Sequence, residues 1–424
     1  MTTPVTGAPP ARGTSALAQI GRALSHLLRS PELRLLFACN LLLGMAVSFV
    51  LPFLSLFCTQ AVGMSLAGFG LFMTASAVAN IVISTWLSKQ SDTRVSRRKL
   101  MLWGAASGAV GYGSFAWLRE PWHLFLVNAL LVSVASVTFS QLFAHARELL
   151  QRSAVPKPDV PLYMNAFRMA FALAWTVGPA VAAFTLESFS FTGLFAAAGL
   201  LYALLFGLIF WSVESVTPSP AAAPGAGVKG RGVWAEPGVL AWFLALTLIL
   251  AAHAVSLNNM SLLVLHVLGG SETHVGIIFS LAPIFELPCM LYVGVLATRM
   301  PTERLIRVAM LLAACYFFGL SLVKAPHQIY PLQLVSAAFV SVTSGVAITF
   351  FQNMLPAQLG SATNLYANAS RIGSTSGYLT FGLVASRFGH RGTAVACAIL
   401  ALSALGLTAL AGSRENRPGV TSDG

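Results

Sequence analysis

Residues 88–100 read SKQSDTRVSRRKL. Six of these thirteen residues are charged, Lys89, Asp92, Arg94, Arg97, Arg98 and Lys99, in a chain where Asp, Glu, Lys and Arg together make up only 9%. Long apolar runs flank them on both sides, at 66–87 and 100–118. An island of charge in that position is a solvated turn, a nucleic-acid patch, a lipid anchor or part of a gate, and the sequence around it decides between them.

Composition narrows the choice. With 56% hydrophobic residues and a mean hydropathy of +0.77, the chain is suited to lipid rather than water. Its net charge of +12 points to nucleic acid in a soluble domain, but in a membrane chain the location of charge matters more than its sum, and no nucleic-acid partner is expected. The five cysteines, Cys39, Cys58, Cys289, Cys315 and Cys397, are odd in number and lack CxxC spacing, so neither a disulfide framework nor a metal site is expected. No cofactor is expected either. Residues 1–32 do not read as a secretory signal, because Pro4, Pro9 and Pro10 interrupt them. They form a tail in which Leu17, Ile20, Leu24 and Leu27 share one helical face opposite Arg22, His26 and Arg29, a pattern for a helix lying on lipid.

Crossing a bilayer takes about 20 apolar residues in helical form. Twelve such runs are present, at 35–58, 66–87, 100–118, 122–146, 163–186, 190–213, 239–266, 274–297, 305–323, 329–354, 363–386 and 392–412. With the N terminus inside, 19 of the 25 Lys and Arg fall on the cytoplasmic side, which predicts a multi-pass protein of the bacterial inner or plasma membrane with both termini in the cytoplasm. Trp117 and Trp122, beside the short outer turn, suit the interfacial aromatic belt. Residues 214–237, rich in Pro, Ala and Gly, read as a cytoplasmic linker between an N-terminal bundle at 33–213 and a C-terminal bundle at 238–412, with a tail at 413–424.

The bundles share short matches in corresponding helices. VTFSQ at 137–141 meets ITFFQ at 348–352, and NAFR at 165–168 meets NASR at 368–371. Two related six-helix halves are what alternating access requires, since similar bundles can rock about a central site. Here the chain resembles the major facilitator superfamily. The island resembles that superfamily's loop between helices two and three, G-x-x-x-D-R-x-G-R-R/K, with Asp92 at the acidic position and Arg97, Arg98 and Lys99 at the basic end; Ser88 replaces the leading Gly. WLSKQSD, RRKL, QLFAHARE, LAWTVGP, FELP and FQNMLP resemble the sugar efflux transporter family within it, in order across both halves. The resemblance implies an all-α membrane fold of twelve helices in two pseudo-symmetric bundles, and proton-linked export of small sugars or glycosides. AWTVGPAVAA at 174–183 resembles the Gly-Pro motif of antiporters, with alanines in place of its trailing glycines.

Candidate functional residues follow from scarcity. Glu286 is the one acid near the middle of an expected span, where a charge is costly and faces a bundle interior or a water-filled cavity. It is the candidate for proton coupling, with His253 next. Arg168 and Arg371 lie one to two turns into helices five and eleven, where they bind sugar hydroxyls, pair with a gate acid, hold Glu286, or snorkel to the surface. Arg168 is the preferred substrate contact, because the family resemblance covers it. Neutral groups suit hydroxyls best: Asn40, Asn80, Gln141, Asn258, Asn259 and Gln352, with Trp175 offering a flat apolar face. The competing role for such groups is helix-to-helix hydrogen bonding. Asp92, Arg97 and Arg98 are the candidate cytoplasmic gate, with Asp92 pairing across the halves or capping a helix and the basic residues contacting lipid as the alternative.

Other function classes are poorly supported. There is no buried acid pair, HExxH, nucleophile elbow or P-loop to support an enzyme or an ATP-driven pump. The expected partners are therefore a small-molecule substrate, protons and membrane lipids, with a monomer as the assembly. Efflux of drugs or other amphiphiles, favoured by the Phe-rich spans, and proton-coupled uptake are the alternative readings.

Overall fold

The computed structural model describes residues 30–91, 95–153, 160–213, 233–235 and 238–415. Asp92, the helix expected before residue 30, most of the 214–237 linker and the end of the C-terminal tail lie outside the described residues. Nine of the described helices are long and apolar enough to cross a membrane. Two of these are double-length, Val160–Ser212 and Leu359–Glu415, each broken once, at Ser190 and at Gly389. Divided there they give four spans. Arg97–Phe115, whose basic first turn dilutes its hydropathy, supplies one more, so the expected twelve are present.

In chain order these are α1 (Pro31–Ala61), α2 (Leu66–Ser91), α3 (Arg97–Phe115), α4 (Pro121–Arg152), α5 (160–189), α6 (191–212), α7 (Val239–Val267), α8 (Glu272–Leu296), α9 (Thr302–Leu322), α10 (Pro326–Met354), α11 (359–388) and α12 (390–415). Local chemistry sets several ends. Pro31 opens α1 behind Ser30, where its missing N–H costs nothing, and the Ser96 hydroxyl accepts the Lys99 N–H to cap α3. α4 runs to Arg152, beyond the expected end at 146, because its last turns are held on α3 through Glu148.

The halves α1–α6 and α7–α12 repeat one another in backbone detail. α1 ends in a π-helical turn at Phe57–Ala61 followed by Gly63 at φ 75°, and α7 ends in one at Leu263–Val267 followed by Gly269 at φ 62°. Beyond each glycine one N–H reaches back over the turn, Met64 to the Cys58 carbonyl and Gly270 to that of Val264, both at 2.9 Å. α4 and α10 each carry a further π-helical turn, at Asn128–Val132 and Val342–Val346. Ser190 (φ 59°, ψ −174°) and Gly389 (φ 65°, ψ −176°) make the same break between the last two helices of each half.

Large apolar side chains such as Leu71, Phe184 and Trp211 are exposed and form the lipid-facing surface. Trp117 and Trp122 are likewise exposed beside their turn. Inside, α1 packs on the α5–α6 pair and α7 on the α11–α12 pair, while α2 meets α11 and α8 meets α5 across the halves.

Candidate functional site

The two ends of the bundle differ. One end carries Arg97, Arg98 and Lys99 at the start of α3 and the α4, α8 and α9 ends with their Lys and Arg, and is termed the basic end. At the other end the halves touch. The Gln60 amide meets His266 Nε2 at 2.9 Å, Ser261 donates to the Pro52 carbonyl, and Thr273 donates through its N–H (3.0 Å) and hydroxyl (2.6 Å) to Glu187 Oε1. The Phe69 and Phe381 rings meet edge to face nearby. Two glycines allow this approach. A Cβ on Gly70 would stand 2.6 Å from the Gly382 Cα, and one on Gly276 would stand 2.8 Å from the Pro179 carbonyl. Gly70 and Gly276, each seven residues after Gly63 and Gly269, are related by the internal repeat, as are Gln60 and His266, which lie three residues before Gly63 and Gly269.

Toward the basic end, Arg168 on α5 and Asn368 and Arg371 on α11 are exposed. Glu286 is half-buried on α8, which stays one continuous helix despite Pro283 and Pro288. Its main-chain carbonyl accepts from Ser341 Oγ at 3.3 Å, and its carboxyl has no ion-pair partner among the described residues. The Arg168 guanidinium nevertheless acts electrostatically on both the Glu286 carboxyl and the Tyr366 phenol. Three helices, α5 from one half and α8 and α11 from the other, thus bring a cation, an acid and a phenol together. Tyr366 had no signal in the sequence beyond being a polar aromatic two residues before the NASR match.

The remaining candidates fall into two groups. Several are already engaged. Asn40 donates to the Phe167 carbonyl at 2.8 Å, tying α1 to α5, with its Oδ1 left buried and unpartnered. Gln141 accepts from Arg97 at 3.1 Å, and Gln352 donates to Thr363 at 3.1 Å. Asn259 is fully used by His390, donating to its carbonyl at 2.9 Å and meeting its Nδ1 at 2.8 Å. The others keep free groups. Asn80 and Trp175 are half-buried, and Asn258 donates only within its own helix, to Ala254. His253 packs its ring on Phe339, centroids 5.8 Å apart.

The island resolves into two separate roles. Arg97 Nε donates to Glu148 at 2.8 Å, both side chains largely buried, so it joins α3 to α4. Arg98 donates to the Phe210 carbonyl at 2.5 Å and lies over that residue's ring, placing a cation on the last turn of α6. Both contacts lie inside the N-terminal half, so in this conformation neither residue bridges the halves. The sequence reading missed Glu148 because it ended α4 too early. It also missed Glu187, a residue at a helix end whose partner lies 86 positions away.

Comparison with known proteins agrees with this architecture. The family model described as Major Facilitator Superfamily matches residues 36–378. Sugar efflux transporter A of Dickeya chrysanthemi is 31% identical over 398 residues, covering 92% of this chain and 98% of that protein. Sugar efflux transporter A of Escherichia coli K12 is 29% identical over 368 residues, covering 87% and 93%. Among solved structures, the nucleoside transporter NupG superposes with a TM-score of 0.78 at 15% identity, over 90% of this chain and all of that one. A bacterial homologue of the lysosomal transporter Spinster gives 0.73 at 12% identity, over 94% and 99%.

Proposed function

The chain belongs to the Major Facilitator Superfamily, a family of membrane transporters and not of enzymes, and on that premise we propose that it exports small sugars or glycosides by alternating access in exchange for protons. The observation that carries the reading is the placement of Glu286 and Arg168. A half-buried acid on α8 and an exposed cation on α5 come from opposite halves and lie within electrostatic reach of one another. A carboxylate there attracts Arg168 and a neutral carboxyl does not, so proton uptake changes the relative energy of the two arrangements of the halves, as coupling requires. The substrate class rests on the two relatives named as sugar efflux transporters, which this chain matches over nearly their whole length.

In this reading the basic end faces the cytoplasm, in keeping with the distribution of Lys and Arg. Sugar enters there and meets Arg168, Asn80, Asn258 and Trp175, whose polar groups and flat ring are free to contact it. Asn40, Gln141, Asn259 and Gln352 serve the site at one remove by holding its helices in register. Arg97 and Arg98 brace the cytoplasmic ends of α3, α4 and α6, on which a gate involving Asp92 closes. His253 is the reserve proton carrier.

The test is uptake of a panel of labelled sugars and drugs into inverted vesicles with an imposed proton gradient. Accumulation of one or more sugars that collapses with an uncoupler is the expected result. Accumulation of drugs without sugars overturns the substrate class, and uncoupler-insensitive sugar movement overturns the coupling.

A further inference from the structure

The hydrogen bonds from Thr273 to Glu187 do more than touch two halves together. Thr273 is the second residue of α8, and its N–H is one of the first-turn donors that a helix leaves without an intrahelical partner. Within the turn, the Ser271 N–H donates to His274 Nδ1, so part of the end is satisfied locally. The Thr273 donor is satisfied by a carboxylate from the opposite half, at the helix end where negative charge is favoured. α8 is therefore capped in trans. The related end of α2 is different. There Ser65, one residue before the helix, accepts the Gly68 N–H at 3.0 Å, and the position related to Glu187 by the repeat is Ser386, which bonds within α11. The closed end is thus symmetric in its glycine contacts and asymmetric in its cap, and the helix capped in trans is the one that carries Glu286.

We propose that Glu187 is a positioning residue that latches the closed end, stabilising the arrangement in which α8 of one half lies against α5 of the other. The bond exists only while these helix ends are together, so the carboxylate contributes to one conformation and not to its alternative. Opening leaves the Thr273 N–H to water and Glu187 at an exposed helix end. Glu272, the acid in the first turn of α8, puts a second negative charge on the helix end that Glu187 caps and limits the strength of the latch. A latch of moderate strength suits a carrier that must open and close repeatedly, because a cap is broken far more easily than a packed core.

The experiment uses the full chain in lipid nanodiscs, with its five native cysteines replaced and spin labels at Ser65 and Ser386. These are exposed positions on the α2–α11 side of the closed end, away from Glu187. Pulsed distance measurements then read the ratio of open to closed molecules without any substrate, so the result stands apart from the sugar assignment. Glu187→Ala is expected to raise that ratio by about tenfold, the scale of losing one helix cap, and Glu187→Gln, whose amide oxygen still accepts but without the charge, by a smaller factor. Glu187→Asp should restore part of the closed population. Thr273→Val, which removes only the hydroxyl donor, should have a smaller effect that vanishes in the Glu187→Ala background. Distance distributions in Glu187→Gln and Glu187→Ala that match the parent would overturn the latch, as would a Thr273→Val effect that persists without the carboxylate.

Discussion

Glu286 and Arg97 are both charged residues in a chain that has few, yet they are held in opposite ways. The Glu286 carboxyl lacks an ion-pair partner among the described residues, and on the proposed coupling it gains and loses a proton in each cycle. Glu286→Gln is expected to preserve sugar binding and exchange while abolishing gradient-driven accumulation, measured by equilibrium binding beside vesicle uptake with and without an uncoupler. A variant that still concentrates sugar at the parent rate in an uncoupler-sensitive way would assign coupling elsewhere, with His253 first in line. Arg97, by contrast, is locked to Glu148 with both side chains under one-fifth exposed. Removing one partner of such a pair strands the other, at a cost of about 3 to 5 kcal/mol. Arg97→Ala and Glu148→Ala should therefore each lower the thermal unfolding temperature markedly in detergent. The double replacement Arg97→Met with Glu148→Leu should recover most of that loss, since neither charge is then left behind.

At the scale of helices and turns, Ser190 and Gly389 occupy equivalent breaks with the same backbone angles, in a region that only glycine enters without strain. Ser190 carries a penalty that Gly389 does not. Ser190→Gly should stabilise the protein by about 1 kcal/mol and Gly389→Ala should destabilise it by a similar or larger amount, both read from thermal unfolding at fixed detergent. This pair also shows what the sequence could and could not reveal. The twelve spans were legible because the bilayer demands apolar length, a property of each segment alone. The repeat was legible only as two fragments, VTFSQ with ITFFQ and NAFR with NASR, which fall in the corresponding helices but whose offsets of 211 and 203 miss by three and four residues the 214 and 199 set by the π-helical turns and by the breaks at Ser190 and Gly389, because backbone geometry repeats here where residue identity does not: serine and glycine make one turn, and Gln60 and His266 hold one register. Glu286 stood out by scarcity. Glu187, Glu148 and Tyr366 did not, because their significance lies in partners brought near by packing, and periodicity carries no information about those. Asn259 and Gln141 looked like ligands for the converse reason, since an intramembrane amide reads the same whether it faces a sugar or, as here, His390 and Arg97.

For the whole molecule, the deciding quantity is the balance between the arrangement seen, closed at one end with interior polar groups exposed toward the other, and its alternative. The closed end depends on close approach at Gly70 and Gly276, where a side chain would meet main-chain atoms of the other half, and such atoms cannot swing aside. Overpacking of this kind costs about 1 to 3 kcal/mol where it cannot relax. On the proposed alternating access it can relax, because the clash lies between two halves that separate and not within either of them. Gly276→Leu should therefore leave each half folded and move the equilibrium by about 5- to 150-fold toward opening of the closed end. Single reporter cysteines make this visible. Asn368→Cys, exposed toward the basic end, should react more slowly with a membrane-impermeant thiol reagent applied to inverted vesicles once Gly276→Leu is added. Ser261→Cys, fully buried at the closed end against Pro52 of the other half, should react faster from the opposite face in right-side-out vesicles. Both changes must occur together and in opposite directions if one rocking motion links the two ends. A rise at residue 261 with no fall at residue 368 would mean that the closed end opens by local fraying, and alternating access would not follow from this interface.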